Sequence, residues 1–235
     1  MLLLVTLPLS GWTKNPPGQD TIVYLFPGQG SDARLFKHLE LPPGYDTVNM
    51  VYPIPEKRES MHSFALRFID EIDQSSPYIL MGVSLGGMIC TELTDTLAPV
   101  KTIIISSAKA FHELPNRYTF VQKVPVNRII PKRITKGSAR ILQGIVEPDR
   151  KYDKETFKDM LKIKDPLYVQ RTVDMITHWE RTNYSSGIIH IHGNMDHTIP
   201  IKNVQYDYLV EEGSHMMMIT RADEINRIIA EIIHE

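Results

Sequence analysis

The stretch Tyr-Ile-Leu-Met-Gly-Val-Ser-Leu-Gly-Gly at residues 78–87 decides the fold of this chain. Its first four residues predict a buried strand, and an apolar helical pattern follows the stretch as far as Leu93. Between the two lies a Gly-x-Ser-x-Gly motif centred on Ser84. Strand, motif and helix together describe a nucleophile elbow, in which a sharp turn lifts a serine hydroxyl to the top of a sheet. Ser84 is therefore the predicted nucleophile.

Strands and helices alternate along the chain on both sides of this motif. Further strands are predicted at residues 21–26, 47–52, 100–105, 187–193 and 206–210. Apolar stripes predict one helix over 61–72 and another through 225–233. Such alternation indicates an α/β fold with a mostly parallel central sheet flanked by helices.

The alternation stops near residue 108. Residues 109–185 lack strand-like runs, which predicts a helical cap inserted into a core domain of residues 1–108 and 186–235. Residues 109–181 hold sixteen Lys or Arg and nine Asp or Glu, whereas the remainder holds ten basic and nineteen acidic residues. Two interpretations stay open: a solvated cap surface, and a cap that attracts an anionic substrate or surface.

The overall composition is that of an ordinary globular protein, with 42% hydrophobic residues and a net charge of −2. This balance gives no reason to propose nucleic acid as a partner. Cys90 is the only cysteine, which excludes an internal disulfide, and its place on an apolar helix face predicts a buried thiol. Residues 1–12 predict either an atypical signal peptide or an edge strand. No stretch approaches the roughly 18 apolar residues of a transmembrane span.

A serine hydroxyl needs an adjacent base, and that base needs a third group that fixes its tautomer. Asp196 follows the strand at 187–193, at the end of the sheet where site residues collect in parallel α/β folds. His215 lies in a Gly-Ser-His loop between the last strand and the closing helix. We predict His215 as the base and Asp196 as its orienting acid. A turn aspartate and an incidental loop histidine are the alternatives.

Two backbone amides are candidates for an oxyanion hole, which acyl transfer requires. One is the N–H of Leu85, directly after the nucleophile. The other is the N–H of Gln29, in the Pro-Gly-Gln-Gly-Ser loop at 27–31 after the first predicted strand. A plain Gly/Pro turn is the alternative for this loop.

These motifs together resemble the α/β-hydrolase fold superfamily over about residues 20–235. The segments that carry the resemblance are 26–30, 82–87, 192–196 and 213–215. The resemblance implies an eight-stranded type of sheet, a variable cap between the sixth and seventh strands, and neither a cofactor nor a metal. It also implies Ser84 as nucleophile, His215 as base and Asp196 as acid, in that family's chain order of Ser, Asp and His. The implied activity is hydrolysis of a small-molecule ester, or of a thioester or amide, through an acyl-enzyme.

Three departures from the family's pattern lead to further expectations. The loop reads Pro-Gly-Gln-Gly where many members have His-Gly. Only 19 residues separate Asp196 from His215, which predicts that the helix between them is reduced to a turn. Little chain precedes the strand at 21–26, so the leading hairpin is expected to be reduced or absent.

Three rival functions remain. Residues 26–31 also resemble the opening of malonyl-carrier acyltransferases, although Val83 and Gly87 replace the His and Glu of that family's nucleophile motif. The cluster His190-x-His192-x-x-x-Asp196-His197 suggests metal ligands, but its spacing differs from that of metallo-β-lactamase-like hydrolases. A ligand-binding protein or receptor that keeps the triad with little turnover is the third rival, because fold does not decide function.

Overall fold

The computed structural model of the protein describes residues 20–118, 153, 155–156, 159–160 and 165–234. Within these residues six strands form one sheet, and all neighbouring strands pair in parallel. They are β1 (Thr21–Phe26), β2 (Tyr45–Asn49), β3 (Tyr78–Val83), β4 (Lys101–Ile105), β5 (Ile188–Gly193) and β6 (Tyr208–Val210). Across the sheet their order is β2-β1-β3-β4-β5-β6. The predicted α/β class with a mostly parallel sheet is confirmed.

Helices connect these strands on both faces of the sheet. The α-helices are α1 (Met61–Leu66), α2 (Leu85–Thr94), α3 (Pro166–Thr177), α4 (Met217–Thr220) and α5 (Ala222–His234). Short 3₁₀ helices lie at Ala33–Phe36, Ile69–Glu71, Phe111–Glu113 and Ile201–Asn203. The last of these is the only helix between β5 and β6, which agrees with the reduced connection expected between Asp196 and His215. Among the helices described, none combines the length and apolar character needed to cross a bilayer.

One expectation about the sheet needs correction. The strand expected at 47–52 is β2 at Tyr45–Asn49. The Met50 N–H still bonds to the Leu25 carbonyl oxygen, at 2.9 Å, and the backbone leaves the sheet beyond it. The described residues contain six strands, and the eight-stranded sheet that the resemblance implies stays an expectation. Residues 1–19, on which the signal-peptide, edge-strand and leading-hairpin expectations fall, lie outside the described residues.

The helix predicted over 61–72 is shorter than expected. α1 ends at Leu66, and the Arg67 and Phe68 amides bond to carbonyls three residues back, at 3.2 and 3.1 Å. Such bonds tighten the last turn into 3₁₀ geometry, and this interrupts the helix before the next short segment. The predicted apolar stripe is nevertheless buried, since Phe64 and Phe68 are both fully inaccessible to solvent.

The sheet separates two hydrophobic clusters, as the alternation of side chains along its strands requires. Tyr24, Phe26 and Leu80 belong to the cluster that includes residues of α1, α2 and α3. Val23 and Leu25 belong to the opposite cluster, which α4 and α5 complete. Burial of an isoleucine side chain is worth about 1.5–3 kcal/mol, so the apolar stripe of α5 is a strong anchor. The buried residues of that stripe are Ile225, Ile228, Ile229, Ile232 and Ile233.

The predicted cap at 109–185 is described only in part, because residues 119–152, 154, 157–158 and 161–164 lie outside the described residues. Its helix α3 begins with Pro166, and the N-cap Asp165 accepts a hydrogen bond from the Leu167 N–H at 2.6 Å. Met175 and Trp179 are buried in the same cluster as α1 and α2. They attach this part of the chain to the sheet domain, while the division into core and cap stays a prediction.

Candidate active site

Ser84 lies in a strained turn between β3 and α2. Its φ of 54° and ψ of −118° are unusual for a residue with a side chain. A Cβ atom on Gly82 would lie within 3.0 Å of the Gly86 backbone, and one on Gly86 within 3.0 Å of the Phe26 carbonyl. The end of β3, the start of α2 and the end of β1 meet at this turn, so Gly82 and Gly86 leave no room for side chains. The strand–turn–helix context predicted for the motif is present.

The three residues predicted as nucleophile, base and acid lie in hydrogen-bonding contact. His215 Nε2 is 2.9 Å from Ser84 Oγ, and His215 Nδ1 is 2.8 Å from Asp196 Oδ2. An ionised carboxylate can only accept, so the Nδ1–H donates to Asp196. The Nε2 of a neutral ring is then left to accept the Ser84 proton.

Asp196 is buried and uses both of its carboxylate oxygens. While Oδ2 faces His215, Oδ1 accepts hydrogen bonds from the Thr198 and Ile199 amides, each at 2.8 Å. Burial by itself would raise the pKa of Asp196, but the adjacent His215, aided by His192 and the Ile199 N–H, holds that pKa below its ordinary value. The residue is thus both the turn aspartate of the alternative interpretation and the partner of the imidazole.

The loop that contains Gln29 lies directly against the nucleophile. A Cβ on Gly28 would be 3.3 Å from the Ser84 Cβ, and Gly30 adopts a φ of 80° that favours glycine. Among the described residues, neither the Gln29 nor the Leu85 backbone N–H donates a hydrogen bond to another protein group. The role of these two amides as oxyanion donors stays a prediction.

This architecture matches many solved structures. A thermophilic esterase from Thermogutta terrifontis matches with a TM-score of 0.70 at 15% identity, over 92% of this chain and 90% of its own. The enol-lactonase of Burkholderia xenovorans LB400 matches with a TM-score of 0.72 at 14% identity, over 93% of each chain. An esterase from Exiguobacterium antarcticum matches with a TM-score of 0.67 at 15% identity, again over 93% of each chain. The chain has the α/β-hydrolase fold.

The likeness to these proteins is one of fold. Sequence identities near 15% carry no information on substrate, since one fold supports many chemistries. No family model and no curated protein matches the sequence. The chemistry of this α/β-hydrolase-fold protein must therefore be argued from its own residues.

Two residues that support the site in this hydrolase fold were not among the predicted ones. Ser107, just beyond β4, donates from its Oγ to the Ser84 carbonyl oxygen at 2.7 Å. Arg117 donates from its guanidinium to the carbonyl oxygens of His197 and Thr198, in the loop of Asp196. The end of a parallel strand is a signal that could have indicated Ser107. Arg117 is one of the sixteen basic residues of 109–181, and no local pattern distinguishes it from the others.

Twelve of the sixteen basic residues of 109–181 lie outside the described residues, so the two interpretations of the cap's charge stay predictions. The guanidinium of Arg117 itself is engaged by backbone carbonyls of the sheet domain.

The histidines considered as metal ligands form a buried pair beneath Asp196. His190 Nδ1–H donates to the Gln205 carbonyl and His192 Nε2–H to the Ile199 carbonyl, each at 2.9 Å. The two facing ring nitrogens are 3.1 Å apart, and His192 Nε2 lies 3.7 Å from Asp196 Oδ2. Burial lowers the pKa of both rings. In the part of the chain that the structure describes, no group of His, Cys, Asp or Glu is arranged to hold a metal ion.

Proposed function

We propose that this protein is a serine hydrolase that cleaves small carboxylic esters through an acyl-enzyme. The observation that carries the proposal is the continuous hydrogen-bonded chain from Ser84 Oγ through His215 to Asp196. A nucleophile, a base and an orienting acid in this order form the arrangement that activates serine in unrelated hydrolases.

In the first half of the reaction, Ser84 Oγ attacks the ester carbonyl carbon while its proton moves to His215 Nε2. The carbonyl oxygen becomes an oxyanion, for which the Leu85 and Gln29 amides are the proposed donors. When the tetrahedral intermediate collapses, the bond to the alcohol oxygen breaks. The proton on Nε2 moves to that oxygen, so an alcohol leaves and the acyl group stays on Ser84.

In the second half a water molecule takes the place of the alcohol. His215 accepts a proton from the water as its oxygen attacks the acyl carbon, and then returns that proton to Ser84 Oγ. The products are a carboxylic acid and the regenerated serine. Throughout, Asp196 stays ionised, because it fixes the ring tautomer and stabilises the imidazolium without taking a proton itself. Every step uses side chains and amides of this chain.

Esters are favoured over the rival substrates for a chemical reason. An alkoxide or phenoxide is a better leaving group than the anion of an amine, so cleavage of an ester depends less on proton transfer from the general acid than cleavage of an amide does. The similar solved structures include two esterases and an enol-lactonase, which also act on ester bonds by their names. The same acyl-enzyme mechanism can also cleave a thioester, and the substrate pocket determines which of the two is preferred.

Turnover of p-nitrophenyl esters of increasing acyl length tests the proposal. Replacing Ser84 by Ala should lower kcat by several orders of magnitude, on the order of 10⁶-fold for serine triads. Cys90→Ala is the matched control, because it removes the chain's only thiol nucleophile, which is buried in α2, and should leave turnover intact. Wild-type turnover that survives Ser84→Ala would refute the mechanism. Reaction of Ser84 with a fluorophosphonate but no ester turnover would favour the binding-protein alternative.

A further inference from the structure

The side chain of Gln29 joins the oxyanion loop to the helix α3. Its Nε2 donates to Thr172 Oγ1 at 2.6 Å and lies 3.5 Å from the Val169 carbonyl oxygen. The backbone N–H of the same residue is the proposed oxyanion donor. One residue therefore connects the reacting centre, through its own side chain, with a helix of the predicted cap.

The hydrogen bonds of Thr172 fix the direction of this contact. The Thr172 hydroxyl has one proton, and it is directed at the carbonyls of Tyr168 and Val169, at 2.9 and 3.1 Å. Its lone pairs are left to accept from the Gln29 amide. Thr172 is fully buried, so this contact joins the half-buried Gln29 to the interior of the protein, and without the Thr172 hydroxyl Gln29 would lose a short hydrogen bond.

The far end of α3 is attached to α2, the helix that begins with the other proposed oxyanion donor. Just beyond α3, Trp179 Nε1 donates to the buried Glu92 of α2 at 2.7 Å. Arg181 also contacts Glu92, at 3.3 Å, and forms a second ion pair with Asp95. The segment 166–181 thus spans from the Gln29 loop to α2.

Hydrogen bonds from neighbouring residues hold the backbone of the Gln29 loop. Ser31 Oγ and Tyr52 OH donate to the Gly28 and Pro27 carbonyls, each at 2.8 Å. The Ser31 N–H also bonds to the Gly28 carbonyl oxygen, at 3.1 Å, and closes a turn over Gln29 and Gly30. These bonds act on the backbone of the loop. Among the described residues, the side-chain amide of Gln29 bonds only to α3, closely to Thr172 Oγ1 at 2.6 Å and weakly to the Val169 carbonyl oxygen at 3.5 Å.

We propose that α3 braces the oxyanion hole, and that Thr172 is a positioning residue that holds the Gln29 N–H at its proper distance from the Leu85 N–H. This inference rests on the proposed function. An oxyanion donor is effective only within about 2.7–3.1 Å of the developing charge, so a shift of a fraction of an ångström weakens the transition state more than the ground state. The position of the cap helix is thereby coupled to the rate of the chemical step.

The chain offers a matched control in Thr177, on the same helix. Thr177 Oγ1 bonds to the carbonyls of Val173 and Asp174, at 2.9 and 3.0 Å, as Thr172 bonds to those three and four residues back. Both threonines are buried. Only Thr172 also accepts from Gln29, so valine at the two positions separates the brace from the general effect of removing a helix hydroxyl.

The experiment measures kcat, KM and inhibition by a trifluoromethyl ketone, whose serine adduct places an oxyanion in the hole. For Thr172→Val we expect kcat and inhibitor affinity to fall by about tenfold, below the 10²–10³-fold typical for complete loss of a donor. KM should change by less than about twofold, because substrate binding before reaction does not use the hole. Thr172→Ser keeps the hydroxyl and should restore kcat, which guards against a folding defect. Thr177→Val should match the wild type.

A double-mutant cycle sharpens the test. Gln29→Met keeps the backbone N–H but removes the side-chain amide, so it should lower kcat about as much as Thr172→Val, and the double variant should lose little more. Equal kcat in Thr172→Val and Thr177→Val, or fully additive losses in the cycle, would overturn the brace alone. A wild type without Ser84-dependent turnover would overturn the proposed function and the brace with it.

Discussion

The nucleophile and the acid of the candidate site are oriented by different means. Ser84 is held by its backbone, in a strained conformation where Gly82 and Gly86 permit contact between backbone segments. Asp196 is held by hydrogen bonds, from two amides to one oxygen and from His215 to the other. A glycine contact occurs near the acid as well, between Gly193 and the Gly213 carbonyl. It joins the end of β5 to the loop before α4 and leaves the orientation of the Asp196 carboxylate to its hydrogen-bond partners.

This difference predicts that substitutions near Ser84 and substitutions near Asp196 have different effects. No side chain fits where a backbone contact excludes a Cβ atom, so substitutions of Gly82 or Gly86 should destabilise the fold. Hydrogen bonds can be removed one at a time, and each is worth about 0.5–1.5 kcal/mol. Substitutions around Asp196 should therefore reduce activity in steps while the fold persists.

The largest effect is expected for Gly86→Ala. The new methyl group would lie within 3.0 Å of the Phe26 carbonyl, and the backbone on both sides is buried. We expect the free energy of unfolding to fall by about 3 kcal/mol or more, at the upper end for overpacked positions. Chemical denaturation measures this free energy. Gly187→Ala is the control, because its methyl group would have no atom nearer than 3.8 Å. Equal stability of the two variants would refute the account of the elbow.

Asp196→Asn should leave the fold intact and reduce catalysis severely. The asparagine Oδ1 can still accept from the Thr198 and Ile199 amides. If its NH₂ group faces His215, the ring must accept at Nδ1 and carry its proton on Nε2, where it cannot take the proton of Ser84. We expect kcat to fall by about 10⁴-fold, as for a triad with the wrong tautomer, with an almost unchanged melting temperature. A loss of less than tenfold would contradict the role given to Asp196.

Arg117→Ala should have a smaller effect. It removes the guanidinium that binds the His197 and Thr198 carbonyls, while the bonds of Asp196 itself remain. We expect a loss of about 1 kcal/mol in unfolding free energy and less than a tenfold drop in kcat. Arg227→Ala is a suitable control, because Arg227 is exposed and pairs only loosely with Glu231, at 3.7 Å. If Arg117→Ala inactivated the protein, the graded response expected of this loop would be wrong.

The smallest effect near neutral pH is expected from the buried pair of His190 and His192. Burial lowers the pKa of both rings below the ordinary 6.5, so the unfolded chain binds more protons than the folded chain between 6.5 and those lowered values. Stability should be complete above pH 6.5 and decline as the pH falls through this window.

Unfolding free energies measured from pH 7.5 to 5 test whether stability declines as the pH falls. His190→Gln should reduce the slope of unfolding free energy against pH relative to the wild type. A rise in stability on acidification would mean that the two facing nitrogens share a proton.

Features of the site that lie close together in the sequence could be predicted, whereas contacts between distant residues could not. The elbow is readable because its glycines and serine lie within six consecutive residues of a strand–turn–helix. Asp196 and His215 are predictable because the ends of parallel strands meet at one edge of the sheet. The contact between Gln29 and Thr172 joins residues 143 positions apart and has no local signature. The split of the helix expected over 61–72 depends on 3₁₀ bonds at Arg67 and Phe68, which the apolar periodicity does not encode.

The most direct test of the central claim is to trap the acyl-enzyme. Acid quenching during turnover of a p-nitrophenyl ester, followed by mass spectrometry of the digested protein, locates the acyl group on a single peptide. The account predicts the adduct on Ser84, its formation at a rate no slower than kcat, and its absence in Ser84→Ala. An acyl group on another residue, or steady turnover with no adduct at Ser84 under conditions where deacylation is slowed, would contradict it.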